Sequence, residues 1–439
     1  MLEQRSQWYK LQYPECFVPE EMQMMQKTLA DFVDKEIMPV RDKIDDDPTH
    51  EKVIRPILKK LQVGLGYQKN MIPKAYGGNE ALAMIGGVLR QEQLSRADYG
   101  ISLHSACTEW GWTPAALAFF SPSPTGNAWA KAVFEKFAPK FTGDELAVAC
   151  FNFAEVESAC DIENPENKGM TVSVRAELKG NEWVLNGNKF WASNSGEADL
   201  HCVVCNMDPS KGIDGFALIY VPDPWPGLSH GKWEVKCGCI ADTNTSTYFD
   251  NVKVPKEWGI AGPEAWALFL NSVNAPMPLD AANAVGTLQG AFDVLVEYCK
   301  QRVVGGKPLC QHTHAAIILG EMASAITVGR AAVLETAYQY DRMDIYGPWD
   351  SETMFAKGHA VHAYLTRLAP DLILRGMELM GSYGYVRENG YEKYYRDAAV
   401  LKLLLGGCHL GYFDVCKQFY DLEFSSFGPG KFDLPGKGK

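Results

Sequence analysis

Two closely spaced pairs of cysteines are the residues whose types and spacing most directly suggest chemistry. Cys202 and Cys205 form a CxxC in "LHCVVCNMD", and Cys237 and Cys239 form a CxC. Paired thiolates can bind zinc, but a closed zinc site needs four clustered ligands, and the first pair lies inside an apolar run typical of a strand. Twelve cysteines in a long chain without a secretion signal favour free thiols over disulfides. The sequence therefore predicts structural thiols and no metal site.

The overall composition is typical of a globular protein with an acidic surface. Of the 439 residues, 46% are hydrophobic and 22% are charged, and the formal net charge is −12. This charge argues against nucleic-acid binding, which depends on basic side chains that neutralise phosphates. Neither an apolar run long enough to span a membrane nor a signal-peptide pattern is visible, so we expect a cytoplasmic protein without a membrane span.

Three segments of different periodicity must position any functional side chains. Apolar residues recur every three or four positions at 19–39, and further helical patterns follow as far as residue 137. From 148 to about 255 the pattern alternates between apolar and polar residues, as in strands, and long helical patterns then return. We therefore predict an N-terminal helical domain at 1–148, a middle β-domain at 149–262, a C-terminal helical bundle at 263–421 and a tail at 422–439.

Five motifs, in this order, resemble those of the acyl-CoA dehydrogenase superfamily. They are "MIPKAYGG" (71–78), "NGNKFWASN" (186–194), "VKVP" (252–255), "QRVVGGKPL" (301–309) and "MGSYGYVRENGYEKYYRDA" (380–398). The resemblance covers nearly the whole chain and implies an N-terminal α-helical domain, a middle β-barrel domain and a C-terminal four-helix bundle. It also implies FAD between the β-domain and the bundle, and a homotetramer or homodimer. The C-terminal helices are apolar on every face, which agrees with burial between subunits.

The same resemblance assigns residues to the flavin. Trp191 would lie against one face of the isoalloxazine ring, and the Ser193 hydroxyl would reach its N5 side. The alternative for Trp191 is packing within the core of a hairpin. Arg302 would meet the FAD pyrophosphate, because a guanidinium can hold two phosphate oxygens, and its alternative is a surface arginine at a helix end. The other cofactor positions implied by the resemblance are Phe151, Phe153, Ala154, Thr313, Glu378, Gly381, Ser382, Gly407 and His409.

Several of these positions depart from the family pattern. Ala154 stands where the family has a threonine whose hydroxyl touches the flavin, and Cys160 stands where it has a serine. Gly305 replaces a phenylalanine, and Thr313 replaces a glutamine. We expect FAD binding to survive these changes in a pocket of altered shape.

The largest departure concerns the catalytic base. The family pattern places its glutamate at Leu405, and a second position that some relatives use falls on Pro276. Neither side chain is ionisable. A thioester α-proton is only weakly acidic, so a positioned base normally contributes roughly 10²–10⁴-fold to the rate. Either another residue accepts the proton, or the reaction does not need a base.

Three residues are candidate replacements for this base. His104 and Glu109 lie in "DYGISLHSACTEWGW" (98–112), the helix that would floor the acyl pocket, near but not at its lining positions. His409 lies just past the vacant position. For His104 and Glu109 the alternative is a solvent-facing side chain or pairing between domains. Trp110 and Trp112 would give the pocket a flat aromatic wall that suits a ring-bearing acyl group. The substrate positions implied by the resemblance are Ser102, Leu103, Ala106, Trp110, Cys160, Leu405 and Gly406.

We therefore expect FAD-dependent α,β- or 1,4-dehydrogenation of an acyl-CoA thioester, with an alicyclic or other ring-bearing acyl group and a displaced base. An electron-transfer flavoprotein is the expected electron acceptor. The alternatives are a non-oxidative, decarboxylating or desulfinating acyl-CoA enzyme, a flavin monooxygenase of the same fold, and a flavin-binding relative without turnover.

Overall fold

The computed structural model describes residues 17–158 and 160–420, and the predicted tail at 422–439 lies outside them. The N-terminal segment is helical, and its helices α4 and α5 are almost entirely buried. Asp98 begins α5, because its side chain accepts a hydrogen bond from the Ile101 backbone N–H at 2.9 Å. The helices are α1 (Glu20–Phe32), α2 (Arg41–Ile44), α3 (Ile54–Leu58), α4 (Met84–Ala97), α5 (Tyr99–Phe120) and α6 (Pro124–Phe141).

The middle segment is a sheet that curls back toward itself. The strands run in the order β6-β7-β3-β2-β4-β5-β8, and β1 pairs with β4. His230 on the edge strand β6 nevertheless contacts Asp223, which follows β5, at 2.6 Å. The elements are β1 (Ala149–Asn152), α7 (Cys160–Glu163), β2 (Arg175–Lys179), β3 (Glu182–Ser193), β4 (Leu200–Asn206), β5 (Phe216–Pro222), β6 (Leu228–His230), β7 (Asn244–Pro255) and β8 (Gly259–Ala261).

The C-terminal segment is a bundle built mainly from four long helices. In it α9 packs against α10 and α12, and α12 packs against α15, while α4 of the N-terminal segment packs on α9. The elements are α8 (Pro263–Asn274), α9 (Pro276–Gln301), β9 (Val303–Val304), β10 (Lys307–Pro308), α10 (Thr313–Asp341), α11 (Met343–Tyr346), α12 (Glu352–Met380), α13 (Ser382–Tyr385), α14 (Tyr391–Ala398) and α15 (Gly407–Tyr420).

This order of helices, sheet and helical bundle confirms the predicted fold class. The domain boundaries predicted at 148/149 and 262/263 fall directly before β1 and α8, and they remain a prediction. By length and composition, α10 would be able to cross a membrane, with a mean hydropathy of 1.6, but here it packs as a bundle helix. The bent pair Tyr391–Lys402 and Gly407–Gln418 also passes this test of length and composition.

Close packing of α9 on α4 depends on Gly286. A Cβ at this position would overlap the carbonyl oxygen of Glu92 and the hydroxyl of Ser95. We expect Gly286→Ala to lower the free energy of unfolding by about 1–3 kcal/mol, because the helices must separate. In the matched control Gly320→Ala, a Cβ on α10 would meet nothing within 4 Å, so alanine should leave stability unchanged or raise it. Urea unfolding followed by circular dichroism measures both, and equal effects would contradict this role of Gly286.

The cysteine pairs do not form a shared metal site. The cysteines whose side chains are described are free thiols. Cys202 and Cys205 lie three positions apart on β4, and their side chains point to opposite faces because a strand alternates with a period of two. Cys237 is exposed, whereas Cys239 is buried.

Candidate active site

A cavity of about 470 Å³ lies where the three segments of the chain meet. Its floor comes from α4 and α5, one wall comes from β1 and β3, and the opposite wall comes from the start of α9 and the turn before α15. Of the predicted substrate and cofactor residues, those that line it are Leu103, Ala106, Trp110, Phe151, Phe153, Ala154, Trp191, Ser193, Leu405, Gly406, Gly407 and His409.

Trp191 presents an aromatic face to this cavity. Its ring stacks on Phe190 with centroids 4.2 Å apart, yet 48% of the residue is exposed. The chain is irregular between Phe190 and Ala192, and Trp191 adopts a φ of +62°. Such a left-handed conformation is unusual for a bulky residue and is concentrated at ligand sites. The predicted alternative, a tryptophan packed inside the hairpin core, does not match this exposure.

Ser193 lies beside Trp191, and its hydroxyl is already oriented. Its Oγ donates a hydrogen bond to Asp242 Oδ2 at 3.0 Å. The lone pairs of Oγ, not its proton, are therefore available to a ligand.

The opposite wall contains Leu405, the position at which the family resemblance predicts a glutamate. Leu405 is 7% exposed and contributes an aliphatic side chain to the cavity. Leu405, Gly406 and Gly407 all have positive φ values, of +53°, +72° and +66°. This left-handed turn brings the backbone next to the cavity and leads directly into α15.

Only one of the two tryptophans predicted for the pocket wall, Trp110, lines the cavity. Trp110 packs edge-on against Phe151 and Phe153, and its Nε1 donates to Ser272 O at 2.6 Å. The prediction that Trp112 forms part of the pocket wall is wrong. Trp112 is fully buried and stacks on Phe134 in the core beneath α5, because residues two positions apart on a helix point in different directions.

Glu109 lines the cavity, contrary to the expectation that it lies only near it. Its carboxylate is held on both oxygens, by an ion pair with Arg90 and by a hydrogen bond from Asn70 Nδ2 at 2.9 Å. Burial raises the pKa of Glu109 above its usual range despite the opposing effect of Arg90. A carboxylate that is fixed in this way is poorly placed to accept a proton from a substrate.

His104 and Ser102 lie on α5 away from the cavity. His104 is fully buried, and its Nε2 lies 3.5 Å from Glu197 Oε1. The Ser102 hydroxyl is hydrogen-bonded to Gln91 and Asn283. Neither residue lines the described cavity, so His104 is not placed to act as the base and Ser102 is not placed to contact substrate there. The side chain of Cys160, another predicted substrate contact, lies outside the described residues.

Two more titratable groups reach the cavity from the bundle. Asp280 on α9 accepts hydrogen bonds from the Tyr99 hydroxyl at 2.5 Å and Asn283 Nδ2 at 3.4 Å, and its Oδ2 lies 3.1 Å from His362 Nε2. Asp280 is therefore occupied by donors. His409 lines the rim and is exposed to solvent.

Glu163, at the end of α7, is not among the site residues that the sequence predicts. Glu163 lines the cavity and is 4% exposed, and its Oε2 has no hydrogen-bond partner among the described residues. Burial raises the pKa of Glu163 to about 8, and the negative charges of Asp414 and Asp161 act in the same direction. The only signal in the sequence is an acidic residue two positions beyond the segment "FNFAEVESACD" (151–161), which the family resemblance assigns to the flavin.

The remaining cofactor positions lie far from the cavity. Arg302 ends α9, whereas the cavity is at the start of that helix, which has 26 residues. At 1.5 Å per residue, Arg302 lies about 28 Å along the helix from Asn283, the cavity residue of α9 nearest to it, and about 39 Å from Pro276. The stacked rings of Tyr298 and Tyr383 place α13 at the same distant end. The predicted cofactor residues at this end of the bundle are all exposed; they are Arg302, Thr313, Glu378, Gly381 and Ser382.

The cavity suits the planar ring of a flavin. The free face of Trp191 offers a flat apolar surface, and the left-handed Gly406 and Gly407 leave the opposite wall without side-chain bulk. Phe151, Phe153 and Ala154 close the β-domain side with apolar groups. The residues that surround the cavity are therefore compatible with the isoalloxazine part of FAD.

Comparisons with known proteins agree with this geometry. Three protein-family models match the chain in order. The N-terminal domain of acyl-CoA dehydrogenase matches residues 19–119, the middle domain matches 150–252 and the C-terminal domain matches 266–408. The chain is 27% identical over 409 residues to a glutaryl-CoA dehydrogenase of Desulfococcus multivorans, covering 92% of this chain and 96% of that protein. It is 26% identical over 393 residues to a cyclohex-1-ene-1-carbonyl-CoA dehydrogenase of Geobacter metallireducens, covering 88% and 94%.

The fold is also that of a solved structure, the complex of a glutaryl-CoA dehydrogenase with glutaryl-CoA. The two superpose with a TM-score of 0.78 at 24% identity, covering 91% of this chain and 95% of the other. The three domain matches together extend over most of the sequence, in the order that the fold displays. The chain belongs to the acyl-CoA dehydrogenase family and is an FAD-dependent oxidoreductase of that family.

Proposed function

We propose that this protein oxidises an acyl-CoA thioester with a ring-bearing acyl group, and that Glu163 replaces the usual glutamate as proton acceptor. The observation that carries this proposal is the composition of the cavity. An aliphatic residue occupies position 405. Elsewhere on the same surface lies the buried carboxyl group of Glu163, whose Oε2 has no hydrogen-bond partner in the part of the chain that the structure describes. When bound, FAD would supply the two-electron acceptor, and the side chains of this chain must orient the acyl group and take its proton.

Glu163 is favoured as proton acceptor over Glu109, Asp280 and His409 because those three are held by partners or exposed to water. Glu109 is paired with Arg90, and Asp280 is held by Tyr99 and His362. His409 is exposed, so water competes for its nitrogens. A carboxylate in a dry environment is more basic than in water, and a general base works best when its pKa is near the working pH. Glu163 meets both conditions.

A ring-bearing acyl group is supported by the shape of the floor and by a relative. Trp110 is fixed by Phe151, Phe153 and its hydrogen bond to Ser272, so it forms a rigid aromatic surface. Rigid flat surfaces complement alicyclic rings better than flexible chains because little side-chain freedom is lost on binding. The cyclohex-1-ene-1-carbonyl-CoA dehydrogenase to which this chain is similar is named for a substrate of this kind.

We also propose that the working form is a homo-oligomer that passes electrons to an electron-transfer flavoprotein. Ile317, Val328 and Tyr364 of the bundle each expose more than half of their surface, which is unusual for apolar side chains clustered on long helices. Arg302 lies too far from Trp191 to reach the same flavin, so it would meet the pyrophosphate of a cofactor in a partner subunit. A cytoplasmic location remains an expectation.

The test is anaerobic mixing of the purified yellow protein with a series of CoA thioesters. We expect cyclohexane- or cyclohexene-carbonyl-CoA to bleach the flavin absorbance and butyryl-CoA to bleach it more slowly. Bleaching by linear thioesters alone would contradict the ring-bearing substrate. If no thioester bleaches the flavin, while dithionite does, the dehydrogenase activity itself would be contradicted.

A further inference from the structure

A second cluster of ligand-type side chains lies in the β-domain. His201 belongs to β4, Asp223 follows β5, and His230 ends β6. One ligand atom from each lies within 4.8 Å of the other two. Asp223 Oδ2 is 2.6 Å from His230 Nε2 and 3.5 Å from His201 Nε2. None of the three residues lines the cavity described above.

The inner histidine of this cluster is incompletely satisfied. His201 is fully buried, and its Nε2 has no hydrogen-bond partner among the described residues. Its Nδ1 lies 2.8 Å from the side-chain amide of Asn152. A buried histidine nitrogen that makes no well-formed hydrogen bond is costly, because it has lost water and the Asp223 carboxylate 3.5 Å away replaces that water only in part.

The surroundings resemble the outer shell of a metal site. A histidine that binds a metal through one nitrogen usually has its other nitrogen held by a polar group. Asn152 holds Nδ1 of His201, and the Thr247 hydroxyl lies 3.5 Å from Nδ1 of His230. Asn152 Oδ1 itself accepts no hydrogen bond from any residue that the structure describes. If the side-chain amide of Asn152 is flipped, its Oδ1 accepts a hydrogen bond from the Nδ1–H of His201. In that tautomer of His201 the Nε2 lone pair is available to a metal.

Two of the three separations between ligand atoms, those from Asp223 Oδ2 to the two histidines, are close to what zinc requires. Tetrahedral zinc with bonds of about 2.0 Å separates its ligand atoms by about 3.3 Å. The separation of His201 Nε2 from Asp223 Oδ2 already meets this value, and that of His230 needs a movement of less than 1 Å. Asp223 and His230 are each 23% exposed, so an ion can enter from solvent and keep a water ligand.

We propose that His201, Asp223 and His230 bind one Zn²⁺ ion, with water completing the coordination. Two imidazoles and one carboxylate are a donor set that zinc accepts. The site would connect the edge strand β6 to β4 and β5, which are not its hydrogen-bonded neighbours in the sheet. The ion would thus hold the curled sheet closed. This proposal is independent of the substrate and base of the flavin site.

The test compares zinc binding by the full-length wild-type protein and by His230→Gln. Glutamine can keep a hydrogen bond to Asp223 but is a weak zinc ligand, so this variant separates a metal site from a hydrogen-bonded triad. After chelator treatment, addition of zinc sulfate should give about one bound ion per wild-type chain by mass spectrometry. It should also raise the wild-type Tm by several degrees, and both effects should be absent in His230→Gln.

His314→Ala is the control, because His314 is exposed on α10 and should leave zinc binding intact. Retention of the yellow colour by every variant shows that the chain is folded. If His230→Gln does not fold, Asp223→Asn serves as a second variant with the same expectation. The proposal would be overturned if the wild type bound no zinc, or if His230→Gln or Asp223→Asn bound zinc and shifted in Tm as the wild type does. Either result would leave a hydrogen-bonded His-Asp-His group.

Discussion

Replacing Glu163 with glutamine is expected to slow flavin reduction by a productive acyl-CoA about 10²–10⁴-fold, the contribution of a positioned general base. Glutamine has nearly the same size as glutamate, so the packing of α7 against the cavity should persist. Stopped-flow absorbance under anaerobic conditions measures the rate of flavin reduction directly. A rate within a few-fold of the wild type would show that Glu163 does not accept the proton.

The pH dependence of the same rate provides a second measurement. Only the ionised carboxylate can accept a proton, so the rate should rise as the pH passes the pKa of Glu163, which burial raises to about 8. Asp414 contributes to this pKa, and it lies 3.7 Å from both His359 and Lys417. Asp414→Asn removes a negative charge, so the rising limb should move to lower pH with the maximal rate retained. An unmoved limb would assign it to another group.

Stability should show the opposite consequence of this raised pKa. Between pH 4.5 and about 8 the unfolded chain loses the proton from Glu163, while the folded chain keeps it. The contribution of this group to folding therefore falls as pH rises through that interval. Glu163→Gln removes this decrease in the free energy of unfolding, because glutamine does not titrate. The difference in stability between variant and wild type should therefore shift in favour of the variant when the pH is raised from 4.5 to 8. Urea unfolding at the two pH values measures this difference.

Replacing Lys393 with methionine is expected to cause the largest loss of stability. The Lys393 ammonium is 3% exposed and lies 2.8 Å from Asp45 and 2.9 Å from both Asp98 and Asp397. Removing one partner of a buried ion pair costs about 3–5 kcal/mol, and here three carboxylates lose the same cation. This is a large share of a typical total stability of about 5–15 kcal/mol. We expect low soluble yield and a strongly reduced Tm.

Two further variants separate this electrostatic cause from lost packing. Asp98→Asn in the Lys393→Met background removes one unpaired carboxylate, and asparagine remains a good residue for the start of α5, so part of the stability should return. Lys60→Met removes a half-exposed partner of Glu36, 2.5 Å away, and should cost less than about 1 kcal/mol. Equal losses in Lys393→Met and Lys60→Met, or no recovery in the double variant, would contradict this role of Lys393.

Much of the fold could be predicted from local patterns. The change from a helical period to alternation and back marks the helices and strands, because each period reflects which positions face the core. Motif order predicted the family, and the residues nearest the motifs, such as Trp191 and Leu405, do line the cavity. The prediction that both Trp110 and Trp112 face the cavity was wrong for Trp112. The two residues lie two positions apart on α5, which corresponds to about 200° of rotation around the helix axis, so only Trp110 reaches the cavity.

The sequence alone therefore determined the order of the segments, the motif around Trp191 that faces the cavity and the absence of an ionisable group at position 405. Only the tertiary structure decided which buried carboxyl keeps an unpartnered oxygen: Glu109 is paired with Arg90 on the adjacent helix, whereas Glu163 Oε2 has no hydrogen-bond partner within residues 17–158 and 160–420. It also brought together His201 on β4, Asp223 just after β5 and His230 on β6. Desolvation and ligand clustering depend on contacts between distant residues, and no periodicity or spacing along the chain records those contacts.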